Sequence, residues 1–89
     1  MNIEYTVHIW QEGAQFIAHA MPLDVMSSGS TTEEARAALY EAVALFLETA
    51  EELGTLEEIL QDAGYEFKRE SWVGPVWVAV ERHSTLVGV

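Results

Sequence analysis

The chain has 89 residues, 49% of them hydrophobic, which separates it from disordered chains and leaves room for one domain with one modest core. Its 15 acidic residues against 4 basic ones give a net charge of −11, a balance that excludes direct contact with nucleic-acid phosphates or anionic membranes and favours basic partners. With no cysteine there is no disulfide, thiol nucleophile or cysteine-bound zinc, and no apolar run approaches the roughly 18 residues that span a membrane.

Residues 2–10 alternate, with Ile3, Tyr5, Val7 and Ile9 on one face and Glu4, Thr6, His8 and Trp10 on the other, which predicts a strand. After Gln11-Glu12-Gly13-Ala14 the alternation resumes over 15–20, so a β-hairpin with a four-residue loop is expected. Pairing Trp10 with Gln15 places Ile9 opposite Phe16 and Val7 opposite Ala18, which gathers the apolar residues on one face. Pro22 interrupts the ladder, Leu23 to Ser27 reads as a short third strand, and Ser28-Gly29-Ser30 as a turn.

Thr31-Thr32-Glu33-Glu34 fits a capping box, with Thr31 as cap and Glu34 reaching back. The helix it opens carries Ala35, Leu39, Ala42, Val43, Phe46, Ala50 and Leu53 at helical spacing and stops at Gly54. Thr55 and Glu58 form the same box before a shorter helix with Leu56, Ile59, Leu60 and Ala63 on one side, ended by Gly64. Tyr65 to Trp72 reads as an edge strand, Gly74-Pro75 as a turn and Val76 to Val87 as a long strand. The expected fold is α+β in two layers: an antiparallel meander in the order β-β-β-α-α-β-β with both helices on one face, forming a single domain over 1–89.

Few residues offer chemistry. His8 and His19 fall diagonally on one hairpin face and, with Glu4 or Asp24, are the nearest approach to a metal set, but no ligand spacing supports one. His83 belongs to a polar Glu81-Arg82-His83 patch. Glu4 and Asp24 are the one candidate carboxylate pair that strand geometry offers, too few for a metal-dependent nuclease, so no catalytic residue, metal or cofactor is expected. There is no phosphate loop, nucleophile elbow or dinucleotide fingerprint, and the serines before Thr31 serve the cap. More distinctive is the acidic run Glu48, Glu51, Glu52, Glu57, Glu58 and Asp62, either a solvated face or a docking patch for a basic protein. The hairpin face carrying His8, Trp10 and Ile17, with Trp77 of the last strand, is half apolar where a solvated face would be polar, which points to self-association.

The order of Tyr5-Thr6-Val7, the Glu12-Gly13 turn, Phe16-Ile17-Ala18, a proline segment, Gly29-Ser30-Thr31-Thr32-Glu33-Glu34-Ala35 and a helix with Ala42-Val43 and Leu45-Phe46-Leu47-Glu48 resembles the HicB family of antitoxins over about residues 3–53. The resemblance implies a partial ribonuclease-H-like domain that pairs with a HicA toxin, a small basic ribonuclease, blocks its active site and oligomerises through its sheet. The chain departs from the family's D-L-P-G-C-like stretch, reading Met21-Pro22-Leu23-Asp24-Val25-Met26, and nothing after Gly64 resembles the DNA-binding segment of longer members. Two expectations follow. One is a cytoplasmic antitoxin-like protein, not an enzyme, that occludes a small basic toxin through Asp24 and Glu48, Glu51, Glu52, Glu57 and Glu58, itself a dimer or tetramer. The other is an orphan homo-oligomeric scaffold or small-ligand module without a toxin.

Overall fold

The alternating run at the N-terminus divides between two sheets. A computed structural model describes residues 1–88 and places β1 (Asn2–Ile3) in one sheet and β2 (Thr6–Glu12) in another, with a break at Glu4 and Tyr5. β3 (Gln15–Met21) and β4 (Val25–Gly29) follow β2, then helices α1 (Thr32–Glu52) and α2 (Leu56–Asp62), then β5 (Glu66–Lys68) and β6 (Ser71–Val73). The fold is α+β, as the order of periodicities predicts. Its strands form two three-stranded sheets, in the orders β2-β3-β4 and β1-β6-β5, in place of one meander. β1 runs parallel to β6, with Asn2 beside Ser71 and Ile3 beside Trp72.

In the first sheet Trp10 pairs with Ile17, Ile9 with Ala18 and Val7 with Ala20, two residues away from the predicted register. The loop has two residues, and Gly13 at φ +59° supplies the left-handed position such a tight turn needs. A shift of two keeps every side chain on its predicted face, so only the opposite partners change. His8 and His19 are therefore directly opposite, not diagonal. The third strand is Val25–Gly29, later than the predicted 23–27, because Pro22, Leu23 and Asp24 (φ +61°) form the turn after β3.

Ala18 and Ala20 are fully buried on the inner face, and their small size lets α1 lie close. α1 answers with Ala35, Leu39 and Val43, one helical repeat apart, and with Ala50. Burying a side chain such as Leu39 stabilises by about 1.5–3 kcal/mol. At the start of α1 the Thr31 hydroxyl accepts the Glu34 N–H at 3.0 Å. The reciprocal arm reaches one residue further back than a capping box requires, for the Glu34 carboxylate accepts the Ser30 N–H at 3.0 Å and the Ser30 hydroxyl. Those two bonds hold Glu34 below the usual carboxylate range.

Both helices stop in the same way. Gly54 N–H donates to Glu51 C=O and Thr55 N–H to Ala50 C=O; Gly64 N–H donates to Gln61 C=O and Tyr65 N–H to Leu60 C=O. These are paired Schellman bonds, with Gly54 (φ +74°) and Gly64 (φ +93°) in the left-handed position. The first of them changes what Thr55 does. Its hydroxyl points back toward Ala50 C=O (3.4 Å) and makes no cap bond to α2, so the predicted Thr55–Glu58 box is not formed.

The predicted strand over 65–72 is a hairpin, folded at Arg69 (φ +51°) and Glu70 (φ +66°). Trp72, on its second strand, is buried and stacks on Phe67 with ring centroids 5.2 Å apart. Residues 76–87, predicted as a long strand, form none. β6 already has neighbours on both sides, and Gly74-Pro75 carries the chain away from the sheet.

Candidate docking surface

The flank of α1 that carries Tyr40, Ala44, Leu47, Glu48 and Glu51, spaced three to four residues apart, faces the short N-terminal strand. Met1, Ile3 and Tyr5 lie across from it, leaving a groove of about 320 Å³. Past Glu51 the groove opens into a second hollow of about 480 Å³ bounded by Gly54, Leu56, Glu57, Phe67 and Trp72. Met1, Glu51 and Leu56 border both, so the two make one channel. Its floor is apolar: Leu56 and Trp72 are buried, Trp72 Nε1–H donates to Met1 Sδ at 3.1 Å, and Phe67 is 52% exposed. Its rim is acidic, with Glu48, Glu51 and Glu57 all exposed. Burial and the neighbouring Tyr40 phenol raise the Tyr5 phenol above its ordinary value, so the Tyr5 hydroxyl keeps its proton at pH 7.

Of the predicted contact residues, the channel gathers Glu48, Glu51 and Glu57. Glu52 and Glu58 are exposed but do not line it. Asp24 lies in the turn between β3 and β4, where its Oδ1 is 2.6 Å from His19 Nε2. Among the described residues Glu48, Glu51 and Glu57 have no basic partner within 4.0 Å, and neither helix has a basic residue in its last turn. Negative charge at a helix C-terminus opposes the helix dipole, so a cation placed beside Glu48 and Glu51 would relieve that repulsion. The sequence reading missed the floor. Phe67 and Trp72 lie near Lys68, Arg69 and Glu70, which mask their apolar character, and Met1 carries no pattern at all.

The outer face of the hairpin sheet holds the residues predicted for self-association. His8 faces His19 and Trp10 faces Ile17 across the strands. The Trp10 ring meets His19 edge-on at 6.0 Å, and its Nε1–H donates to Glu12 at 2.9 Å. Trp77 reaches this face from the C-terminal segment and meets the His8 ring edge-on at 4.7 Å. His8 Nε2 is buried without a hydrogen-bond partner among the described residues. No three His, Asp or Glu side chains among the described residues gather as metal ligands, and no helix there is long and apolar enough to cross a membrane.

No family model, curated protein or solved structure matches this chain.

Proposed function

We propose that the protein is a cytoplasmic binding module of the HicB antitoxin type, which captures a small basic ribonuclease toxin and acts by stoichiometric occlusion, without catalysis of its own. The observation that carries this reading is the channel between α1 and the second sheet, apolar along its floor and acidic along its rim. An arginine or lysine suits such a surface. Its aliphatic stem lies on Leu56 and Phe67 while its head meets Glu51 or Glu57, and a guanidinium also gains from the exposed Phe67 ring. An apolar centre with a polar rim is the usual anatomy of a protein interface. The net charge of −11 attracts a basic partner from a distance and raises the association rate, an effect that weakens with salt.

The test begins with capture by the tagged protein from lysate of its own organism at low salt. A small basic protein at near-equal stoichiometry, released at high salt, is expected. Calorimetric titration of that partner then compares Glu51→Lys with Asp62→Lys, two equal charge changes of which only the first lies on the channel. We expect at least about tenfold weaker binding for Glu51→Lys and little change for Asp62→Lys. Equal losses would reduce the channel to a bystander in a general charge effect. Failure to recover any basic partner would remove the antitoxin reading.

A second reading, self-association, has its own support. Trp10 and Trp77 are 37% and 43% exposed on one side of the molecule, and the segment after Pro75 exposes valines in series. A homo-oligomer is compatible with toxin capture and would also stand without it.

A further inference from the structure

The segment Val76-Trp77-Val78-Ala79-Val80 has the composition of a buried strand and the exposure of a surface loop. Val76, Val78 and Val80 are 83%, 96% and 77% exposed. The whole chain exposes 6783 Å², about 1,600 Å² above the roughly 5,200 Å² expected for its mass. Its radius of gyration is 15.6 Å, where about 12 Å is usual for this length. In its own chain the segment touches the outer face of the first sheet where Trp77 meets His8, and enters no ladder.

The first sheet has a matching vacancy. β2 is an edge strand of seven residues, Thr6–Glu12, without the proline, lysine or bulge that commonly blunts such edges. α1 packs over β4 and β3 and scarcely touches β2, so Val7 remains 37% exposed on the face that buries Ala18 and Ala20. The other edges fit less well. β1 and β5 have two and three residues, and β4 is pressed against α1 at Gly29.

We propose that residues 76–82 of one chain add as a strand to the β2 edge of a second copy, and that the two copies exchange these arms reciprocally. This rests on the self-association reading and names its segment and its edge. Alternation fits: Val76, Val78 and Val80 extend the Val7 and Ile9 face, while Trp77 joins the His8 and Trp10 face. Charge permits it, for residues 74–88 carry one acid, Glu81, and one base, Arg82, besides His83, and β2 carries only Glu12, so the acidic helices need not meet. The area suffices. If burying the arm and the edge together costs each chain about half its excess surface, the total over the two chains is about 1,600 Å², a standard interface. A two-fold exchange also supplies every arm with an edge and every edge with an arm.

The full chain should sediment as a dimer of 9.9 kDa subunits, with the β2 amides that point away from β3 protected from hydrogen exchange in the dimer alone. Val78→Pro and Ala79→Pro test the ladder, because successive N–H groups point to opposite sides and one of the two must face the partner strand. Both positions are exposed, so the monomer should melt unchanged. We expect one variant to weaken dimerisation at least about tenfold. A dimer indifferent to both prolines would overturn arm exchange and leave self-association through another face. A monomer at all concentrations would overturn both. A monomer whose β2 amides lose protection on proline substitution would show the arm pairing within its own chain, and would overturn the exchange.

Discussion

Gly29 stands where β4 runs into the first turn of α1. A Cβ there would come within 2.6 Å of the Ala35 nitrogen and 2.8 Å of the Glu34 carbonyl carbon, both backbone atoms that cannot swing aside. Sterics alone require glycine here. Gly29→Ala should destabilise the protein by about 1–3 kcal/mol through overpacking, read as a lower denaturant midpoint at unchanged slope. A neutral result would mean that β4 and α1 can slide apart freely, contrary to the close packing of the fully buried Ala18 and Ala35. Gly29 also heads the stretch through Ala35 that suggested a known family. Its presence follows from how closely a strand and a helix approach, so it speaks to the fold and leaves the partner to the channel.

At the scale of elements, the features that local chemistry decides were legible in the sequence. The stripe of Ala35, Leu39 and Val43, the Thr31 cap and the glycines after both helices predict α1 and α2 to within a residue or two. Legibility fails where a partner decides. Whether the loop after β2 held two residues or four depended on Gln11 and Glu12 joining the ladder, which their polarity does not reveal. The valines of 76–80 read as a strand because they would make one, given an edge to pair with. The docking channel was half legible: its carboxylates stand out in a helix, but its floor is assembled from the N-terminus and a hairpin more than sixty residues apart in sequence. That hairpin turns through Arg69 and Glu70, both left-handed without being glycine, a conformation that costs about 1–2 kcal/mol per residue. Replacing the pair by Asn-Gly should raise stability by about 1 kcal/mol, seen as a higher midpoint in urea. No gain would indicate that the two side chains stabilise the turn by contacts that offset its strain.

For the whole molecule the question is what joins the two sheets, since they share no strand. One link is Tyr65, buried just beyond α2, whose hydroxyl donates to Glu4 C=O at 2.6 Å in the break between β1 and β2. It therefore fixes the point at which the N-terminal run leaves one sheet for the other. Burial, then the neighbouring Tyr5 and Glu4, push the Tyr65 phenol up to about 12 from an ordinary value of 10.0. The folded state thus keeps a proton that the unfolded chain releases, so the stabilisation is fully present below about pH 10 and drains away as pH rises to about 12. Tyr65→Phe should cost about 1–3 kcal/mol at neutral pH, because it leaves the Glu4 carbonyl without its partner. It should also flatten the fall in stability between pH 10 and 12, leaving only the slope due to Tyr5, whose phenol is raised in the same direction. Thermal melts of both proteins across that range separate the two effects. A variant whose alkaline profile ran parallel to the parent's would assign the lost stability to packing, and the hydroxyl's bond to Glu4 would then not be what couples the sheets.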